Sequence, residues 1–189
     1  SNELEPEFLQ KVDELAISRQ FNRLPTRNVI LEGLDRDGTY LYWLDALGVE
    51  YLAFIESLAQ KRGLSLRVHI ARAELPTITS INRDFFDSWE GPKDKNDKLD
   101  DIKHKDAGGY NFINNKLPIH LARELEVIEV MIEKAATGLA LRNYKRFLVV
   151  SDHGASRLAV LRNKEEKYET DTKGEHSGRC CKLFQPYEL

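Results

Sequence analysis

Two short runs constrain the fold of this chain more than any other feature. Thr39-Tyr40-Leu41-Tyr42-Trp43-Leu44 is β-branched, aromatic or aliphatic on both alternating faces, and so is Phe147-Leu148-Val149-Val150 after Arg146. A strand of this kind must be covered above and below, as in a parallel sheet flanked by helices. Asp45 follows the first run directly. Ser151, then Asp152-His153-Gly154, closes the second. Ligands of parallel sheets gather beyond the carboxyl ends of the strands, so these two run-ends are where chemistry is expected.

The remaining elements follow from periodicity. Residues 7–19 read as an amphipathic helix with Phe8, Val12, Leu15 and Ile17 towards its buried side. Residues 22–38 contain Pro25, Gly33, Asp37 and Gly38 and read as loop, with one short strand at 29–31. A helix is predicted over 49–61. Over 65–71, Leu64, Leu66, Val68 and Ile70 alternate with Ser65, Arg67 and His69, which predicts a strand with one exposed face, nearer a sheet edge. Thr79 precedes a predicted short helix over 80–86. Residues 87–109 are polar and read as a surface loop. From Pro118, Leu121, Leu125, Ile128, Ile132, Ala135 and Leu139 recur at helical spacing. Strand, helix, strand, helix, helix, strand is the order of an α/β domain with a mainly parallel sheet. Residues 1–38 are expected to form an N-terminal helix and connecting segment, and residues 39–189 the core; 189 residues suit one domain.

Composition excludes some classes. No apolar run approaches the roughly 20 residues of a membrane-spanning helix. The acidic opening, Ser1-Asn2-Glu3-Leu4-Glu5, lacks the basic and apolar parts of a secretory signal. The two cysteines, Cys180 and Cys181, are adjacent and build no disulfide framework, so a cytoplasmic protein is expected. A net charge of −3 disfavours a broadly basic nucleic-acid surface.

The candidate ligands, in chain order, are Asp45, Thr79, Asp100, His104, Asp152, His153 and His176. Carboxylate with imidazole suits zinc or manganese better than calcium. A helix N-terminus beside Thr79 would favour an anion such as phosphate. Each residue also has a plainer reading. A strand-end Asp forms turns, Thr79 caps a helix, Asp100 and His104 lie in a charged loop, and the glycines around His176 suit any turn. Asp152-His153 is the strongest item, because two polar groups close a wholly apolar strand. His69 and His120 read as surface or structural residues.

Together these residues resemble the alkaline-phosphatase superfamily, nearest to its nucleotide pyrophosphatase/phosphodiesterase and PglZ branches. The matching motifs are the strand-end Asp45, Pro76-Thr77-Ile78-Thr79, Asp100-Asp101-Ile102-Lys103-His104, Asp152-His153 and the glycine-flanked His176. Residues 44–52 and 151–158 look specifically like PglZ proteins of bacteriophage-exclusion (BREX) defence systems, and 118–121 and 174–179 add to the likeness. The resemblance covers residues 40–181. It implies a three-layer sandwich with a mainly parallel central sheet and an alkaline-phosphatase-like core. It also implies a metal-dependent phosphatase or phosphodiesterase with Thr79 as the catalytic nucleophile. Asp45, Thr79, Asp152 and His153 would hold the first of two divalent ions, and Asp100, His104 and His176 the second. Zinc is expected first and manganese second. Asp101 stands as an alternative to Asp100, and Thr77 or Ser80 to Thr79. The implied partners are a phosphate-ester or nucleotide substrate and other phage-defence proteins, with no membrane. The chain ends soon after His176, so the core of a longer protein is expected.

Two other readings come from different classes. One is a non-catalytic or weakly active metal-binding module of a multi-protein defence complex. The other is a nucleic-acid-binding domain using Lys93, Lys95, Lys98, Lys103 and Lys105, which Asp94, Asp97, Asp100, Asp101 and Asp106 interleave.

Overall fold

The computed structural model describes residues 6–74, 77, 79–102 and 119–154. At its centre lies a three-stranded parallel sheet of β1 (Thr39–Leu44), β2 (Lys93–Asn96) and β3 (Arg146–Val150), in the order β2-β1-β3. The register pairs Leu44 with Asn96 and Trp43 with Val150, so all three strands finish at one rim. Helix α1 (Pro6–Ser18) opens the described chain, and about the sheet lie α2 (Arg27–Glu32), α3 (Leu52–Lys61), α4 (Asp84–Asp87), α5 (Lys98–Asp101) and α6 (Ile119–Ala140). The chain is therefore α/β with a parallel sheet, as the two doubly apolar runs required. No helix among the described residues is long and apolar enough to cross a membrane.

Strand β1 is buried on both faces, and its alternate side chains divide between two cores. Tyr42 and Leu44 join Tyr51, Leu99 and Ile128, Met131 and Ile132 of α6, with Phe54, Ile55 and Leu58 of α3 against them. Leu41 and Trp43 join Leu31 of α2, Phe85 of α4, Trp89 and Val150. Burying each large side chain contributes about 1.5–3 kcal/mol. The strand is thereby pinned, and the residue that follows it, Asp45, is held in place.

Five sequence expectations are corrected. Leu15 and Ile17 of α1 are exposed rather than turned to a buried side. Residues 29–31 are not a strand but lie in α2. Leu31 turns into the second core and Arg27 towards the rim, and these tertiary contacts override the β-branched local preference. Residues 65–71 alternate as a strand does but form no ladder among the described residues. Leu66, Val68 and Ile70 are exposed, and the only bridge nearby is Arg72 to Thr26. The polar interval 87–109 is not all loop, because it contains β2 and α5. The helix after Thr79 begins only at Asp84, so no helix N-terminus adjoins Thr79; residues 79–82 form a turn closed by Asn82 N–H on Thr79 O at 3.1 Å.

The charged strand β2 is stabilised by alternation of a different sort. Lys93 and Lys95 lie over Phe86 and Trp43, at 4.9 and 4.1 Å from the ring centroids. Asp94 pairs with Lys134, and Asn96 donates to the Tyr42 hydroxyl at 2.7 Å. Cations on aromatic faces and ion pairs here replace the apolar contacts that a strand ordinarily makes.

Candidate metal centre

The rim of the sheet gathers Asp45, Thr79, Asp152 and His153 around one point. Asp152 and His153 leave β3 and Asp45 leaves β1, so parallel pairing alone brings them together. Asp152 is 1%, Asp45 4% and His153 5% exposed, which nearly seals three ionisable groups from water. Charges buried in this way need partners.

Asp152 is the best satisfied. Its Oδ1 accepts from the Trp43 indole N–H at 3.2 Å and from Ala46 N–H at 3.3 Å; its Oδ2 accepts from the Thr79 hydroxyl at 2.8 Å. Burial acts to raise its pKa, but His153, the Thr79 hydroxyl, Asp45 and the Ala46 N–H together hold it below the ordinary carboxylate value. Asp45 is the opposite case. Burial first, then the neighbouring Asp152 and Asp100, push it up to about 8, against the pull of Lys95 at 3.3 Å from its Oδ2. Its Oδ1 is buried with no hydrogen-bond partner among the described residues. One carboxylate is thus poised and the other is short of positive charge.

The imidazole completes the arrangement. His153 Nδ1 lies 3.1 Å from Gly154 O, a carbonyl that only accepts, so Nδ1 is protonated and donates there. Nε2 faces inward, 3.3 Å from Asp152 Oδ2, 3.3 Å from Thr79 Oγ1 and 3.5 Å from Asp45 Oδ1; it donates to the carboxylates when the ring is protonated and offers its lone pair to a cation when the ring is neutral. An ion with bonds of about 2.0–2.1 Å in tetrahedral geometry separates its donors by roughly 3.3 Å. The His153–Asp45 spacing, with one orphaned carboxylate oxygen, is of that order, whereas the 2.8 Å Thr79–Asp152 contact is a hydrogen bond, shorter than the separation of two ligands of one ion. Asp100, half-buried on α5, approaches the same place; it offers an atom within 4.8 Å of those of Asp45 and His153.

Local backbone supports the geometry. Ala46 adopts φ 59°, a left-handed conformation uncommon for a residue with a Cβ, and in it the Ala46 N–H reaches Asp152. Leu47 N–H reaches the Ser151 hydroxyl at 2.9 Å, which donates to His153 O at 2.7 Å. A Cβ on Gly154 would stand 3.3 Å from Gly48 Cα, so the turns after β1 and β3 touch where glycine permits.

Of the seven residues that the sequence proposes, the structure brings together Asp45, Thr79, Asp152 and His153, with Asp100 beside them. His104 and His176 lie outside the described residues. Where the sequence left choices open, the Thr79 hydroxyl is the one on Asp152, and Ser80 is exposed; Asp100 is half-buried at the cluster, whereas Asp101 is exposed. Thr79 does not arrive from a strand end, as the expected strand over 65–71 would have required. Sequence reasoning missed Arg27, Asn82, Lys95 and the indole of Trp43. A lysine alternating with acids gave no signal for Lys95, and Arg27 lay in what read as loop. Of the basic residues considered for nucleic acid, Lys95 is engaged by Asp45 and Asp97, and Lys93 donates to the carbonyls of Phe86 and Trp89. Comparison with protein-family models, with curated proteins and with solved structures finds no match to the chain.

Proposed function

We propose that the chain is a PglZ-like domain with the three-layer core of the alkaline-phosphatase superfamily, a metal-dependent hydrolase of phosphate esters in bacterial phage defence. The observation that carries this reading is the Thr79 hydroxyl 2.8 Å from Asp152 Oδ2, with His153 Nε2 3.3 Å from the same hydroxyl oxygen. A half-buried hydroxyl that donates to a carboxylate, with an imidazole nitrogen beside its oxygen, is what a nucleophile requires and a helix cap does not.

Asp45, Thr79, Asp152 and His153 would hold one divalent ion, zinc or manganese, and Asp100 with His104 and His176 a second. When bound, such ions neutralise charge on the phosphoryl group and favour the ionised hydroxyl. The protein's own part is to aim and to desolvate. Asp152 fixes the direction of the Thr79 O–H bond and lies in the path of its departing proton. Thr79 Oγ1 forms a bond to phosphorus as the bond to the leaving oxygen breaks, and water then releases the phosphate from the threonine. Trp43 and the Ala46 N–H keep the Asp152 carboxylate still, so that geometry need not be found anew in each turnover. Nucleotides or other phosphate esters are the proposed substrates, other phage-defence proteins the proposed partners, and the cytoplasm the proposed location.

Hydrolysis of bis(p-nitrophenyl) phosphate with added zinc or manganese tests this. Activity that disappears in Thr79→Ala is the expected result; full activity in that variant removes Thr79 from its role. Stoichiometric metal binding without hydrolysis would favour the metal-binding structural module instead.

A further inference from the structure

We infer that Arg27 and Asn82 are positioning residues that clamp the Thr79 turn onto the Asp152-His153 turn. The Arg27 guanidinium is buried and joins two segments that are far apart in sequence. Its Nη1 donates to Ser151 O at 3.2 Å and to Asp152 O at 3.0 Å. Its Nη2 donates to Asn82 O at 3.0 Å and to Asn82 Oδ1 at 3.3 Å. The planar group stacks on Phe85 at 4.5 Å from the ring centroid, which fixes its plane.

Asn82 extends the clamp. Its Oδ1 accepts from Glu74 N–H at 2.8 Å, its Nδ2 donates to Glu74 O at 3.0 Å, and its own N–H donates to Thr79 O at 3.1 Å. The side-chain amide thus acts as a short piece of backbone and draws residues 74 and 82 together at the neck of the segment that carries Thr79. Arg72 ties the approach to that neck onto the chain before α2, through Arg72 N–H to Pro25 O at 3.0 Å and its Nε to Leu24 O at 3.2 Å. Thr79 lies on no strand or helix, so this network replaces the sheet in setting its hydroxyl against Asp152. A fork with two parallel N–H pairs is needed to hold both turns at once, and lysine, a single point charge, cannot supply it.

Arg27→Lys tests the clamp with two readouts. In metal-free protein, backbone exchange at Glu74 and Asn82 is expected to accelerate while the amides of β1 stay protected. Zinc affinity is expected to fall about 10–100-fold, as it does when groups that orient metal ligands are removed. In a Thr79→Val background the same substitution should cost less than in the wild type, because the part of its effect that passes through Thr79 is already lost and only the part on the Asp152 turn remains. Should Arg27→Lys not fold, Asn82→Ala removes both amide contacts to Glu74 and is expected to give the same pattern. Unchanged exchange at Glu74 and Asn82, equal acceleration throughout β1, or a full additional loss in the Thr79→Val background would overturn the inference. The affinity readout rests on the site's being a metal centre, whereas the exchange readout does not. Wild-type protein that binds no zinc therefore removes the metal reading and leaves the clamp to be decided by exchange.

Discussion

Replacing Asp45 with asparagine is expected to stabilise the metal-free protein while destroying its capacity for metal. The carboxyl group is nearly sealed and its pKa is raised from 3.8 to about 8 by burial, Asp152 and Asp100. The folded chain therefore keeps a proton that the unfolded chain releases above pH 3.8. That contribution to stability is complete below pH 3.8 and is lost as pH rises through about 8. At ~1.4 kcal/mol per unit, Asp45 alone forfeits about 4 kcal/mol by pH 7. Asp152 shifts the opposite way in both proteins, so what asparagine recovers is of the order of Asp45's own loss, reduced by whatever contact of the carboxyl group the amide fails to replace. Asparagine has the same shape, no charge, and an N–H group where Asp45 needs a proton. Urea unfolding in chelator measures the difference. The advantage of Asp45→Asn should be near zero at about pH 4 and widen up to about pH 8. Zinc in hundredfold excess over its dissociation constant should stabilise the wild type by about 2.7 kcal/mol and the variant hardly at all. A variant less stable than wild type in chelator at neutral pH, or an advantage independent of pH, would refute the reasoning.

Other substitutions probe the neighbouring contacts. Trp43→Phe removes the indole donor to Asp152 Oδ1 and is expected to destabilise by about 1–3 kcal/mol in urea unfolding, with weaker zinc binding. Gly154→Ala sets a Cβ 3.3 Å from Gly48 Cα, so the turn after β1 must give by a few tenths of an ångström, and weaker zinc binding is the expected result by calorimetry. Ile128→Ala, in the core beside Tyr42 and Leu44, should cost about 2–5 kcal/mol yet leave zinc affinity of the folded protein unchanged by calorimetry. Thr79→Ser should retain phosphodiester hydrolysis and Thr79→Val should abolish it, with both proteins folded by circular dichroism.

The legible parts of this fold are those in which one kind of force decides. Apolar residues on both faces mark β1, which is buried, and β3, which is half-buried, and helical spacing of apolar residues marks α6, because burial selects residue type. Strand β2 carries no such mark. Its backbone pairs with β1 as any strand does, but its side chains form ion pairs and cover aromatic rings, so the segment reads as solvated loop. Residues 65–71 fail in the reverse direction. Alternation tells which side chains share a face, but a strand also needs a neighbour to supply a ladder. At the site, Asp45, Asp152 and His153 were legible because parallel strands must deliver their ends to one rim. The approach of Thr79 was not. It depends on Arg27 and Asn82, residues whose side chains act on distant backbone and leave no periodic trace.

The most direct test is calorimetric titration of zinc into chelator-stripped protein at about pH 8, where Asp45 gives up its proton. Saturable binding is expected in the wild type, weakened by Thr79→Val and abolished by Asp152→Asn. A wild-type chain that takes up no ion, or an Asp152→Asn variant that binds as tightly as the wild type, would contradict a cation held among these four side chains.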